Sequence, residues 1–286
     1  MAHGKLIELF LVNGTADSLV TAELSNWNGK AIKIPRIEVS ACQRDDIAQA
    51  GVYFLFCKED DGSDSVYIGE AENIKERLIQ HLRDYQAEKE MYYWNTAVLF
   101  IGNDLNKASI RYLENRFVEI ARNSKRYVVL TKNTYKNTVM KESQIDVMEE
   151  FIDNVRVLIN ALGYKVLEPL VLADKVNDND SEKILYMNTS TVNASGKVTP
   201  EGFVVFAGSK LSETITTSLA AGFAKTREKL IEEGKIKGTT IIEDILFSSS
   251  SAAAAILNGY NTSGPRYWKN KDGRTLKEIE NTYTNK

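Results

Sequence analysis

Gly51-Val52-Tyr53-Phe54-Leu55-Phe56-Cys57 and Val66-Tyr67-Ile68-Gly69 are two apolar, aromatic-rich runs separated by eight polar residues, Lys58 to Ser65. Runs of this composition around Asp61-Gly62 predict a β-hairpin with an extended loop. Each strand sets a tyrosine two positions from a glycine: Gly51 with Tyr53, and Tyr67 with Gly69. Glycine permits close approach to the backbone, and pairing the two strands brings the phenols onto neighbouring strands. A tyrosine in a strand is ordinarily a packing residue, so the residues beyond the hairpin decide its meaning.

A helix is predicted over Asn73–Tyr85, where Ile74, Leu78, His81, Leu82 and Tyr85 share one face with Arg77 at its edge. Arg77 and His81 lie one turn apart and can point to the same place. Asn95-Thr96-Ala97-Val98-Leu99-Phe100-Ile101 reads as a buried strand. A second helix is predicted over Asn106–Asn123 with Ile110, Leu113, Phe117 and Ile120 as its apolar stripe. Glu114 falls on or beside that stripe, where an unpaired carboxylate costs several kcal/mol or gives up its charge. A salt bridge to a neighbour such as Arg111 is the competing explanation. Tyr127–Leu130 reads as a short strand and Thr131-Lys132-Asn133-Thr134 as a polar turn.

Taken in order, these motifs resemble the GIY-YIG nuclease family, with Gly51-Val52-Tyr53 and Tyr67-Ile68-Gly69 as the two tripeptides and Val52 in place of the usual isoleucine. The resemblance is specific over roughly 51–135. It implies that Arg77 is the arginine of the first helix after the hairpin and His81 the histidine some members carry four residues later. It implies that Glu114 ligates a divalent metal, Mg²⁺ or Mn²⁺, and that Asn133 lies near the active site, with Asn123 as the other choice. By resemblance Tyr53 is the general base and Tyr67 and His81 position phosphate or water, while the residues alone leave the base open among the three. The implied function is metal-dependent endonuclease cleavage of phosphodiester bonds, with nucleic acid as partner and DNA in preference to RNA. Gly69, Lys75, Arg111, Lys132, Arg266 and Trp268 are the further candidates for nucleic-acid contact. The alternative is a catalytically idle binding module on the same scaffold.

A chain of 286 residues with 43% hydrophobic content can bury one large core or two modest ones. The net charge of −3 does not advertise a nucleic-acid binder, yet residues 75–136 hold twelve Lys/Arg against seven Asp/Glu. Cys42 and Cys57 have no metal-ligand spacing, no apolar run reaches membrane-spanning length, and no signal-peptide pattern opens the chain. The expectation is a cytoplasmic bacterial protein without a membrane partner. No Gly-x-Ser-x-Gly or Walker A pattern competes, and the second of the two histidines, His3, stands at the chain start.

Upstream, Leu6–Val12 and Lys30–Pro35 are predicted strands extending the sheet, with Ser40–Ala50 as a short helical lead-in. Downstream, Ser143 with Asp146 is expected to open a helix that ends at Gly163 and crosses the sheet. The predicted fold is α/β (α+β): a GIY-YIG-like mixed, mainly antiparallel sheet flanked by helices over 1–172, a polar linker at 173–182, and a smaller C-terminal α/β module over 183–286. In that module Gly202–Ala207 reads as a strand, Leu219–Glu233 and Ser250–Asn258 as helices, and Tyr267-Trp268-Lys269 as a strand entering a turn. With its Ser/Ala-rich helix and Gly273-x-Thr275-Leu276, the region resembles a bacterial domain of unassigned function found behind GIY-YIG domains. Arg266, Tyr267, Trp268 and Lys269, taken as exposed, would grip a strand by charge and stacking, with packing of Tyr267 and Trp268 as the competing explanation.

Overall fold

A computed structural model describes residues 3–59, 62–136, 138–170 and 183–284. The chain divides into two compact units, Met1–Pro169 and Leu170–Lys286. The predicted linker, 173–182, lies outside the described residues.

The first unit is built on a seven-stranded sheet: β1 (Ile7–Leu11), β2 (Val20–Leu24), β3 (Lys30–Pro35), β4 (Gly51–Lys58), β5 (Asp64–Ala71), β6 (Trp94–Ile101) and β7 (Val128–Val129). The strand order is β1-β2-β3-β6-β4-β5-β7. Every pairing is antiparallel except that of β5 with β7. The hairpin strands β4 and β5 are longer than their apolar runs. Lys58 and Asp64 join the ladder because their exposed side chains reach each other across it, Nζ to Oδ1 at 3.3 Å.

Both faces of β4 are covered, which explains why it reads as an unbroken apolar run. Val52, Phe54 and Phe56 face a core shared with α2 (Lys107–Ser124) and α3 (Glu142–Ala161), while Tyr53, Leu55 and Cys57 face Ile74 and Leu78 of α1 (Ile74–Gln86). Asn73 and Asn106 cap α1 and α2: Asn73 Oδ1 accepts from Glu76 N, and Asn106 Oδ1 from Ala108 N and Ser109 N.

Three expectations for this unit change. β2 was not predicted, since Val20-Thr21-Ala22-Glu23-Leu24 buries Thr21 and Ala22 together and does not alternate cleanly. Residues 40–50 do not form a helix: a 3₁₀ turn spans Arg36–Ala41, and an Arg44–Asp46 ion pair holds the irregular stretch beyond it. α3 begins at Glu142 rather than at a Ser143 cap, because the Gln144 side chain reaches back to the Lys141 amide at 3.0 Å.

The second unit has a four-stranded antiparallel sheet in the order β13-β10-β9-β8, from β8 (Leu185–Asn188), β9 (Asn193–Thr199), β10 (Gly202–Val205) and β13 (Ile245–Phe247). A small ribbon pairs β11 (Ile236–Lys237) with β12 (Thr240–Ile241). Its helices are α4 (Ala221–Glu232), α5 (Ser250–Asn258), α6 (Gly264–Tyr267) and α7 (Leu276–Thr284). α5 buries Ala252 to Leu257 as one run, capped by Ser249 Oγ and ended by Gly259 at φ +76°. Together the units make a mixed α+β protein with a large, mainly antiparallel sheet flanked by helices and a smaller C-terminal module. Among the described residues, no helix is long and apolar enough to cross a membrane.

Candidate active site in the N-terminal unit

The short β7 positions the site. It pairs with β5 only at Ser65 and Val66. Just beyond, Thr131 Oγ1 accepts from the Ile68 amide at 2.8 Å and donates to the Ile68 carbonyl at 2.7 Å. The next outward-facing group of β5 is the Glu70 amide, and the Glu114 carboxyl accepts from it. An acid from α2 thus completes a strand edge that β7 leaves open, and at that edge a cleft of about 430 Å³ opens. Tyr53, Tyr67, Arg77 and Glu114 all line it, as do Glu70, Lys107 and Tyr135.

Four predicted residues form one hydrogen-bonded and stacked group. Arg77 Nε donates to Tyr53 Oη at 3.2 Å, and Tyr53 Oη lies 2.9 Å from His81 Nε2. The Tyr53 and Tyr67 rings stack with centroids 6.2 Å apart, and His81 meets both edge-on at 5.5 and 5.3 Å. Gly69 is glycine for a spatial reason: an added Cβ would collide with Tyr53 Oη. Tyr53 is fully buried, whereas Tyr67 is partly exposed. Burial, with the neighbouring Tyr67 phenol, pushes the Tyr53 hydroxyl well above its ordinary range while Arg77 works against the rise; burial likewise raises Tyr67. For Arg77, burial acts to lower the pKa, but the Tyr53 and Tyr67 oxygens outweigh it and the guanidinium is held more firmly charged.

Glu114 is buried, and its Oε2 has no hydrogen-bond partner. The expected competitor, a bridge to Arg111, does not form. Arg111 lies over the Tyr135 ring at 5.0 Å with Nε 3.9 Å from Glu70 Oε1, and Lys107 Nζ holds both Glu70 oxygens at 3.0 and 3.1 Å. Lys107 and Arg111, the cations of α2 at the cleft end, therefore turn to Glu70 rather than Glu114. Burial and then the Glu70 charge push Glu114 up to about 7, with Lys107 and Arg77 opposing. An orphaned oxygen of this kind, in an open cleft, fits a hard divalent cation that keeps most of its water shell. Among the described residues no three His, Cys, Asp or Glu side chains group to hold a metal, so Glu114 would serve as a lone carboxylate.

Other candidates fall elsewhere. Asn133 is exposed and absent from the cleft lining, where Tyr135 of the same segment stands instead. Lys75 is half-buried outside the lining, with its amide on Ile47 O, and Lys132 is exposed with its carbonyl accepting from Arg122. Trp268 is corrected outright. It is fully buried in the second unit, 4.4 Å from the Phe203 ring, and its Nε1 donates to Ser250 O at 3.0 Å. Of the strand expected at 267–269, Tyr267 instead ends α6, Trp268 follows in an extended conformation that turns it inward, and Lys269 alone of the three makes strand-like bridges before the turn, to Tyr186 and Thr275, while Arg266 and Tyr267 stay outside.

Two groups were not singled out in the sequence. Glu90 accepts from His81 Nδ1 at 2.5 Å, and Tyr92 stacks on Tyr67 at 5.5 Å. Both come from the irregular segment after α1, where no periodicity marks them. Glu70 and Lys107 carried a signal: one follows Gly69 directly, and Lys107, Arg111 and Glu114 share a helix face at i, i+4 and i+7.

Residues 185–280 match a family model described as a domain of unknown function (DUF4357). The C-terminal unit thus carries a domain of unassigned function. No curated protein and no solved structure matches the chain.

Proposed function

We propose that residues 1–169 form a GIY-YIG-type endonuclease unit that hydrolyses phosphodiester bonds with the help of a divalent metal, with DNA the preferred substrate by resemblance. The observation carrying this is that two phenols, a guanidinium and a carboxyl with one unpartnered oxygen, from β4, β5, α1 and α2, line one cleft.

Phosphodiester hydrolysis needs an activated water, charge stabilisation on the phosphoryl oxygens and help for the leaving oxygen. Arg77, permanently charged, suits the phosphoryl oxygens. Glu114 would hold Mg²⁺ or Mn²⁺, which when bound supplies Lewis-acid stabilisation of the leaving oxygen. The two phenols differ in access. Tyr67, partly exposed, is the one that can orient water or phosphate in the cleft. Tyr53, lining the floor of the cleft without exposed surface of its own, is disfavoured as a free phenolate by its burial. It gains a proton acceptor in His81 Nε2, because Glu90 at Nδ1 takes the ring N–H and leaves Nε2 its lone pair. A proton leaving the attacking water then passes to Tyr53 as the phenol proton moves to His81, while Arg77 Nε steadies the oxygen between them.

A binding module without turnover is the second reading, favoured by the complete burial of Tyr53. Incubation of supercoiled plasmid with the full chain separates the two. Nicking or linearisation with Mg²⁺, suppressed by EDTA and by Arg77→Ala at unchanged melting temperature, is the expected result. Cleavage by Arg77→Ala at the parent rate rejects the assignment, and no cleavage by the parent on any DNA or RNA offered favours the binding module.

A further inference from the structure

We propose that the C-terminal unit binds single-stranded nucleic acid in a second cleft, of about 500 Å³, lined by Tyr186, Arg266, Tyr267, Lys269 and Lys271. The cleft lies within the second unit and owes nothing to the nuclease reading.

β8 is an edge strand that alternates in burial. Leu185 and Met187 enter the core, and Tyr186 and Asn188 face out. Among the described residues its outer edge pairs with Lys269 alone, through Tyr186 N to Lys269 O at 2.7 Å and Lys269 N to Tyr186 O at 2.9 Å. Lys269 also bridges Thr275, and between them Asn270 Oδ1 accepts from the Asp272 and Arg274 amides. Buried Trp268 anchors the near end of this turn. A rigid turn and a strand edge therefore hold the cleft open, so little ordering is left to be done on binding.

Its lining is chemically one-sided. Among the described residues three of the lining are cations and none is acidic, and residues 264–277 carry five Lys/Arg against the single Asp272. Tyr186 and Tyr267 are 39% and 37% exposed, which leaves part of each ring open to the cleft. Exposed rings beside exposed cations match a strand whose bases stack and whose phosphates are neutralised. A small charged ligand fits less well, since no lining residue offers an unpartnered buried polar atom to fix its orientation. Duplex fits less well too, because its bases are already stacked and cannot use the tyrosine faces.

The test uses the full chain as Glu114→Ala in EDTA, so that binding is read apart from cleavage by fluorescence anisotropy. Probes are an oligothymidylate and an oligouridylate of about 15 nucleotides, with duplex DNA as competitor. Tyr186→Ala/Tyr267→Ala is expected to weaken single-strand binding at least about tenfold, and Tyr186→Phe/Tyr267→Phe to restore it. Lys269→Ala should lower the slope of log K against log salt by about 0.7. A preference between the two probes identifies DNA or RNA as the strand. Parent-like binding by a folded double-alanine variant, equal competition by duplex, or no binding by the parent overturns the proposal. Loss of nuclease activity alone leaves it standing.

Discussion

At the N-terminal cleft Tyr53 and Glu114, with His81 behind Tyr53, are buried, and each is held by another polar side chain or by a strand edge. In the C-terminal cleft Tyr186 on β8, Arg266 and Tyr267 on α6 and Lys269 at the turn that follows are all exposed to water. Water decides what each arrangement can do. Burial raises Glu114 to about 7 and its Oε2 is unpaired, so the first cleft carries an electrostatic cost that a proton or a bound cation would relieve. Exposed cations carry no such cost and act by screened attraction, which suits binding. Substitutions in the first cleft should therefore be large in effect and tied to chemistry, and those in the second modest and salt-dependent.

The largest effect is expected from Glu114→Gln, which keeps the shape and removes the charge. Initial rates of plasmid cleavage with Mg²⁺ should fall by about 10²–10³-fold, the scale of removing one charge-stabilising group from a reaction centre. Lys269→Gln in the same assay should change the rate only a few-fold and lose even that at high salt. Equal losses from the two would erase the distinction between the clefts.

Stability against pH gives the next largest effect. The carboxyl of Glu114 is raised from 4.5 to about 7 in the folded chain. A raised pKa means the folded state holds the proton more tightly, so this group's contribution is full below pH 4.5 and is lost as pH rises through 7. Above that, the fold must carry a buried carboxylate. In metal-free buffer, Glu114→Gln should match the parent near pH 4.5 and exceed it at pH 8 by on the order of 2–3 kcal/mol, since each pK unit is worth about 1.4 kcal/mol. Urea unfolding at the two pH values measures it. Adding Mg²⁺ at pH 8 should stabilise the parent and not the variant. A constant gap across pH would show that the carboxyl is not strained as described.

How much of the site is legible without the fold depends on which physical signals are local. Tyr53 and Tyr67 beside Gly51 and Gly69, the one-turn spacing of Arg77 and His81, and Glu114 on an apolar stripe are all local patterns, and the cleft gathers all of these but His81, which stands behind Tyr53. Glu90 was not legible: it reaches His81 from an irregular segment that turns through Glu88 at φ +56°, a conformation no pattern announces. Trp268 misled for the opposite reason. Arg266-Tyr267-Trp268-Lys269 looks like a basic, aromatic binding stretch, but α6 ends at Tyr267 and the chain leaves it extended through Trp268, so successive side chains alternate and the tryptophan goes inward where Tyr267 and Lys269 go out. Tyr186 was readable in principle from the two-residue period of Leu185-Tyr186-Met187-Asn188.

The smallest effect expected in the first cleft belongs to Glu90, which touches neither the cleft lining nor the substrate and acts through His81. Its carboxylate fixes which imidazole nitrogen carries the proton, and so keeps Nε2 turned to Tyr53 as an acceptor. Glu90→Gln should lower kcat by about 10–100-fold, a fraction of what acid–base assistance is worth, and leave KM unchanged because no substrate contact is lost. Glu90→Asp should recover part of the rate. A packing role alone would change the melting temperature and leave kcat in place, since Tyr67, Arg77 and Glu114 would still line the cleft. Should kcat survive the substitution at full value, proton removal does not run through His81, and Tyr67 becomes the phenol to test.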